Sequence, residues 1–149
     1  MRVLLPIDGS DCAQKTLHWA AELFKARRDV EFYLLEVISV TPDTFTVEYD
    51  ITDATQALHN AKAYLERMGC RVANISYVLG DVVARICEYV EETQIDQVLM
   101  GSHGRTGLSK LLLGSVSVAV MERCTCPVTI YRNVDRAEIQ QTLPTHTLF

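Results

Sequence analysis

The densest concentration of chemistry-bearing residues is the segment Gly101-Ser102-His103-Gly104-Arg105-Thr106-Gly107, followed a short way on by Gly114-Ser115-Val116-Ser117. Glycines let backbone amides come close to a ligand and adopt conformations that strain other residues. Gly114-Ser115 falls where a helix is predicted to start, so unpaired N–H groups and the positive end of the helix dipole converge there. Ser115 and Ser117 add hydroxyls. Arg105 and Lys110 are the only formal charges between Gly101 and Val120, in a chain whose 14 Lys+Arg face 19 Asp+Glu for a net charge of −5. This combination suits a phosphate cradle. Neither familiar nucleotide signature is present: no Gly-x4-Gly-Lys-Ser/Thr and no Gly-x-Gly-x-x-Gly. From the residues alone, a phosphate cradle and a plain glycine-rich turn both remain open.

The elements that must position this loop follow from periodicity. Val3 to Ile7 is a short apolar run of the kind buried on both faces of a parallel sheet. Asp8-Gly9-Ser10-Asp11 breaks it with turn and cap residues. Ala13, Leu17, Ala20, Ala21 and Phe24 then recur at helical spacing, which predicts a helix to about Arg28. A second strand lies within Val30–Val40. From Ser39 to about Asp53, with Pro42 and several Thr and Asp, no period is visible, so a long connection is expected. Ala57, Ala61, Tyr64, Leu65 and Met68 predict the next helix, with Gly69 as its C′ residue. Val72 to Leu79 alternates as a third strand. Asp81 opens a helix carrying Val83, Ile86, Cys87 and Val90; Gln97 to Met100 is a fourth strand, and Pro127 to Tyr131 a fifth. The expected fold is α/β: a doubly wound five-stranded parallel sheet sandwiched by four helices, one domain over residues 1–132, with a flexible tail over 133–149. In such sheets ligands sit beyond the carboxyl ends of the strands, where strand order reverses. That singles out Pro6 to Ser10 and Gly101 to Ser117.

The bulk composition bounds the function class. A chain of 149 residues, 48% hydrophobic and 22% charged, fits one globular domain able to bury roughly two-thirds of its unfolded surface. Its acidic balance gives no general attraction to nucleic-acid phosphates or anionic lipid. No run approaches the roughly 20 apolar residues of a membrane span. Five cysteines, an odd count without a secretory leader, point to reduced thiols in the cytoplasm.

Other constellations carry less. Ser10 sits in Gly9-Ser10-Asp11-Cys12, which lacks the Gly-x-Ser-x-Gly elbow of a hydrolase. Asp8, Asp11 and Asp81 loosely imitate a phosphoacceptor cluster, but an N-cap explains Asp81, and no lysine follows the fifth strand. Cys124-Thr125-Cys126 has no second ligand pair at metal-binding spacing, so these thiols are read as packing. His103 has no carboxylate partner in the loop, which favours a phosphate contact over a general base.

The spacing Gly101-x2-Gly104-x9-Gly114-Ser115 resembles the ATP-binding signature of the universal stress protein family. The opening Val-Leu-Leu-Pro-Ile-Asp-Gly-Ser, the stretch Val98-Leu-Met-Gly-Ser-His-Gly104 and the closing Cys126-Pro-Val-Thr-Ile are similar to that family as well. The resemblance covers nearly all of residues 1–132. It implies an adenine nucleotide alpha-hydrolase-like, Rossmann-like domain that binds ATP or AMP, with Mg²⁺ accompanying the phosphates. By position it implies that Asp8 accepts from ribose or adenine, and that Pro6, Val37 and Met100 wall the base. Gly101, Gly104, Gly114, Ser115 and Val116 would hold ribose and phosphates, with Arg105 as the accompanying base. It also implies a homodimer through the last strand at Val128 and Ile130, open to higher assembly and to a protein partner. Three functions are weighed: a nucleotide-dependent stress or signalling protein with little or no turnover, a slow ATPase, and a nucleotide-independent scaffold or transporter regulator. The glycine spacing favours the first.

Overall fold

A computed structural model of the chain describes residues 1–39, 47–104 and 113–132. Strand and helix alternate: β1 (Arg2–Pro6), α1 (Asp11–Phe24), β2 (Glu31–Ile38), α2 (Val47–Arg67), β3 (Arg71–Leu79), α3 (Val82–Thr93), β4 (Gln97–Gly101), α4 (Ser115–Arg123) and β5 (Val128–Tyr131). The strands form one parallel sheet in the order β3-β2-β1-β4-β5. Successive strands step outward from β1 in one direction to β3, then return past β1 to β4 and β5. The order therefore reverses between β1 and β4.

Alternation along β1 explains how two helical layers are covered at once. Val3 and Leu5 belong to the core shared with α1 and α2, where Leu17, Ala20, Phe24, Leu58 and Leu65 pack. Leu4 belongs to the opposite core, with Ile86 and Val90 of α3 and Val120 of α4. Every second side chain faces the same layer, so a strand apolar throughout is the natural solution for a sheet covered on both sides. Each buried Leu or Phe here contributes about 1.5–3 kcal/mol from removal of apolar surface from water.

Local signals set most boundaries. Ser10 caps α1 by accepting from the Ala13 amide at 3.1 Å, and Asp81 caps α3 by accepting from Ala84 at 2.9 Å. At the end of α2, Gly69 takes φ +83, the Cys70 amide donates to the Leu65 carbonyl and the Gly69 amide to Glu66. That pairing closes the helix as a Schellman turn.

Two expected boundaries are corrected. α1 stops at Phe24 rather than near Arg28, because the apolar spacing ends there and residues 25–29 are almost all charged. α2 begins at Val47, well before the expected start after Asp53, and its buried face includes Ala54, Leu58, Ala61 and Leu65. Packing of that face carries the helix through Thr- and Asp-rich turns whose own propensity is poor. The remainder of the expected connection, residues 40–46, and the tail expected over 133–149 lie outside the described residues. Among the described residues, no helix is long and apolar enough to cross a membrane.

Candidate functional site

The ends of β1 and β4 meet at the reversal of strand order. Past β1, the Ile7 amide still donates to the Leu35 carbonyl at 2.8 Å, and the chain then turns through Gly9 at φ +73 into the Ser10 cap. Asp8 is held in this turn, its Oδ1 accepting from the Ser10 amide at 2.9 Å. A Cβ placed on Gly104 would lie 2.9 Å from Asp8 Oδ2. The loop after β4 thus crosses directly against the loop after β1, and glycine at 104 makes that approach possible. Asp8 and Gly104, 96 positions apart by residue number, are brought together as expected.

The return of the glycine loop to α4 is fastened by a small polar knot. The Gly114 amide donates to the Ser102 carbonyl at 2.8 Å. Ser117 Oγ donates to the carbonyls of Gly101 and Ser102, each at 3.1 Å. Ser102 and Ser117 are buried, and the Ser102 amide donates to the Tyr131 carbonyl at 2.9 Å. Sequence reasoning cast Ser117 as a ligand donor. Here its hydroxyl is committed to backbone carbonyls, so its part is to seat the first turn of α4 on the end of β4.

Gly114 is the N-cap of α4 and supplies no side-chain cap; its φ of −66 and ψ of 153 are open to any residue. What demands glycine is space, because a Cβ there would sit 3.0 Å from the Ser102 carbonyl oxygen. The first-turn amides of α4, at Ser115 and Val116, are consequently not covered by a capping side chain, and Ser115 is exposed. Among the described residues no side chain caps this helix start, and first-turn amides with the helix dipole behind them are an arrangement suited to anions.

An apolar wall adjoins it. Val37, Met100 and Val116 belong to one cluster on the α3–α4 side of the sheet, and Pro6 follows Leu4 by two positions on the same face. All four residues lie at or beyond the C-terminal ends of their strands or at the start of α4. His103 Nδ1 is 2.8 Å from Ser102 Oγ, while its Nε2 is buried with no hydrogen-bond partner among the described residues. Arg105, expected as the accompanying base, lies outside the described residues.

Three supports escaped the sequence reading. Cys12, in the first turn of α1, packs so closely behind β4 that a Cβ on Gly101 would approach its Sγ to 2.7 Å. Ser102 organises the knot just described. Glu36 is a buried carboxylate of β2, 2% exposed, between Leu35 and Val37; an acid interrupting the run Phe32–Ile38 was the visible signal for it. The other two are tertiary contacts with no local sequence mark.

A five-stranded parallel sheet between helices, with the loops after β1 and β4 crossing where strand order reverses, defines a doubly wound, Rossmann-like α/β domain. The universal stress protein family matches residues 1–132, and the chain belongs to that family. It is 31% identical over 147 residues to universal stress protein YxiE of Bacillus subtilis, covering 88% of this chain and 98% of that one. It is 28% identical over 140 residues to universal stress protein MJ0531 of Methanocaldococcus jannaschii, covering 88% and 81%. The solved structure of MJ0577, from the same archaeon, superposes with a TM-score of 0.78 at 29% identity over 90% of this chain and 96% of that one. More distant structures share the fold. One is a universal stress protein in complex with cAMP, at TM-score 0.71 and 19% identity over 90% and 98% of the two chains. Another, from Archaeoglobus fulgidus, is in complex with dAMP, at TM-score 0.66 and 23% identity over 87% and 96%. A third, from Arabidopsis thaliana, has AMP bound, at TM-score 0.69 and 18% identity over 93% and 94%.

Proposed function

We propose that this chain binds one adenine nucleotide, ATP or AMP, at the C-terminal ends of β1 and β4, and that occupancy sets its conformation and its choice of protein partner in a stress or signalling response. The observation that carries this reading is the seating of α4: Gly114 holds an uncapped helix start against the end of β4. Ser115 and Val116 would then bind phosphate through their amides and the Ser115 hydroxyl. Asp8 would accept from ribose or adenine, beside the backbone of Gly104. Pro6, Val37 and Met100 would flank the base. His103, whose Nε2 has no hydrogen-bond partner among the described residues, is a further candidate contact, and Arg105 completes the set by its place in the signature. Adenine nucleotides bound to proteins of the same fold support the choice of ligand.

Turnover on this reading is slow or absent. His103 Nδ1 is engaged by the Ser102 hydroxyl, whereas an efficient imidazole base is oriented by a carboxylate at that nitrogen. Among the described residues, no group of three or more His, Cys, Asp or Glu side chains could hold a metal ion, so Mg²⁺ enters as the companion of the phosphates. A homodimer through β5, able to assemble further, and action in the cytoplasm belong to the same proposal.

The ligand is identified by purifying the full chain without added nucleotide, denaturing it and analysing the released small molecules by chromatography and mass spectrometry. We expect an adenine nucleotide at close to one per chain. A different class of molecule in that amount would overturn the proposal.

A further inference from the structure

Away from the nucleotide site, three thiols gather where α3, the end of α4 and the start of β5 meet. Cys87 lies on α3, Cys124 is the C-cap of α4, and Cys126 follows two residues later. The sulfurs of Cys87 and Cys124 are 3.3 Å apart, closer than two sulfur atoms in ordinary van der Waals contact, and bridge 37 positions of chain. Both residues are half-buried rather than sealed in the core, and both are free thiols. A disulfide requires a further approach of about 1.3 Å, to the usual 2.03–2.05 Å bond. The contact joins two helix segments through flexible side-chain rotors.

We propose that Cys87 and Cys124 form a peroxide-oxidised, reversible dithiol switch that clamps the C-terminal end of α4 to α3. The balance is complete with hydrogen peroxide as the two-electron oxidant. The Cys87 thiolate attacks one peroxide oxygen; the O–O bond breaks, an S–O bond forms, and the leaving hydroxide takes up a proton to become water. Cys124 Sγ then attacks the sulfenic sulfur of Cys87. The S–O bond breaks, the S–S bond forms, and the Cys124 proton leaves with the departing hydroxide as a second water. Two thiols are oxidised and one peroxide is reduced to two waters.

The environment assigns the order of attack. Burial first, and the hydrogen bond with the Cys87 thiol second, push the Cys124 thiol up to about 12. The raised Cys124 thiol is the poorer first nucleophile, because the thiolate is the attacking species, and it gives up its proton as it resolves the sulfenic acid. Cys126 is also raised by burial and has no sulfur contact of that length among the described residues. Cys70 is buried, its thiol donating to the Ala21 carbonyl at 3.8 Å. Cys12 is taken up behind Gly101. The switch is thus specific to one pair out of five cysteines. Because α4 runs from Ser115 to Arg123 and is capped by Cys124, the clamp acts on the helix that carries the proposed phosphate amides.

The test treats the reduced full chain with a modest excess of hydrogen peroxide, blocks remaining thiols and digests with trypsin without reductant. Cleavage after Arg85, Arg105, Arg123 and Arg132 places Cys87 in peptide 86–105 and both Cys124 and Cys126 in peptide 124–132. The expected product is these two peptides joined, two hydrogens lighter than their sum, from a protein that still migrates as a monomer and reverts with dithiothreitol. The bridge should persist in Cys126→Ser and vanish in both Cys87→Ser and Cys124→Ser. The oxidised protein should melt several degrees higher than the reduced one. A Cys124–Cys126 or Cys87–Cys126 bridge, a disulfide between chains, sulfinic acid at Cys87 without a bridge, or unchanged thiols would each overturn the proposal.

Discussion

Gly114→Val should weaken adenine-nucleotide binding at least about 100-fold, which corresponds to about 2.7 kcal/mol. The added carbon would sit 3.0 Å from the Ser102 carbonyl oxygen, 3.6 Å from His103 Cα and 3.8 Å from Ser117 Oγ. Ser102 and Ser117 belong to the knot that seats α4 and His103 adjoins it, so relief comes by moving the helix start away from β4. That breaks the Gly114–Ser102 hydrogen bond and misdirects the Ser115 and Val116 amides. Overpacking of this kind costs about 1–3 kcal/mol of stability, so the variant should still fold but melt lower. Gly114→Ala is the graded control. Its backbone angles fit alanine without strain, so any loss it shows comes from crowding, and it should fall between wild type and valine. Calorimetric titration of the three proteins checks the order. Wild-type affinity in the valine variant would remove the phosphate site from this helix start.

Ile130→Pro should convert the proposed dimer to monomer while leaving the β4–β5 ladder in place. Within the chain, Val98 donates to the Pro127 carbonyl and Ser102 to the Tyr131 carbonyl. Bonding groups of a strand alternate between its two sides, so Val128 and Ile130 turn their N–H and C=O groups to the open side of β5. β5 is an edge strand, and all four of its residues are half-buried. An apolar edge with unpaired bonding groups is a ready site for a second strand. Proline at 130 removes an outward donor and is tolerated at an edge. In a two-fold dimer the change acts twice; at about 1–3 kcal/mol per acceptor left unpaired, the interface loses about 2–6 kcal/mol. Light scattering at micromolar concentration reads the outcome. A mass unchanged from wild type would place the dimer contact elsewhere. Tyr131, stacked on Trp19 with ring centroids 5.7 Å apart, keeps the strand docked in either case.

The particular residues show how far the sequence could be read. Strand β1 was legible because Val3, Leu4 and Leu5 are apolar with no polar alternation, which only a doubly covered sheet accommodates. The Asp81 and Gly69 boundaries were legible because caps and C′ glycines are local chemistry. The start of α2 was not, since Val47 to Asp53 is made mostly of β-branched, Asp and Tyr residues of poor helical propensity, and the helix is fixed by tertiary packing through Ala54, Leu58, Ala61 and Leu65. At the candidate site, the order of elements pointed to the ends of the first and fourth strands, and the structure places Asp8 against Gly104 there. The division of labour did not follow. Ser115 and Ser117 look equivalent in sequence, yet one is exposed at the uncapped helix start and the other is buried and bonded to Gly101 and Ser102. Only the three-dimensional seating of α4 on the end of β4 separates the proposed ligand donor from a structural tie. The Cys87–Cys124 contact is the same kind of fact, since no spacing in the chain announces it.

The most direct test of the account is calorimetric titration of the full chain, first stripped of any copurified nucleotide, with ATP and with AMP. We expect saturable binding of at least one of them at close to one per chain, lost in Gly114→Val. No saturable heat with either nucleotide up to millimolar concentration, from a protein that is folded by circular dichroism, would contradict it. The glycine loop would then be a turn, and the domain a scaffold acting through its open strand.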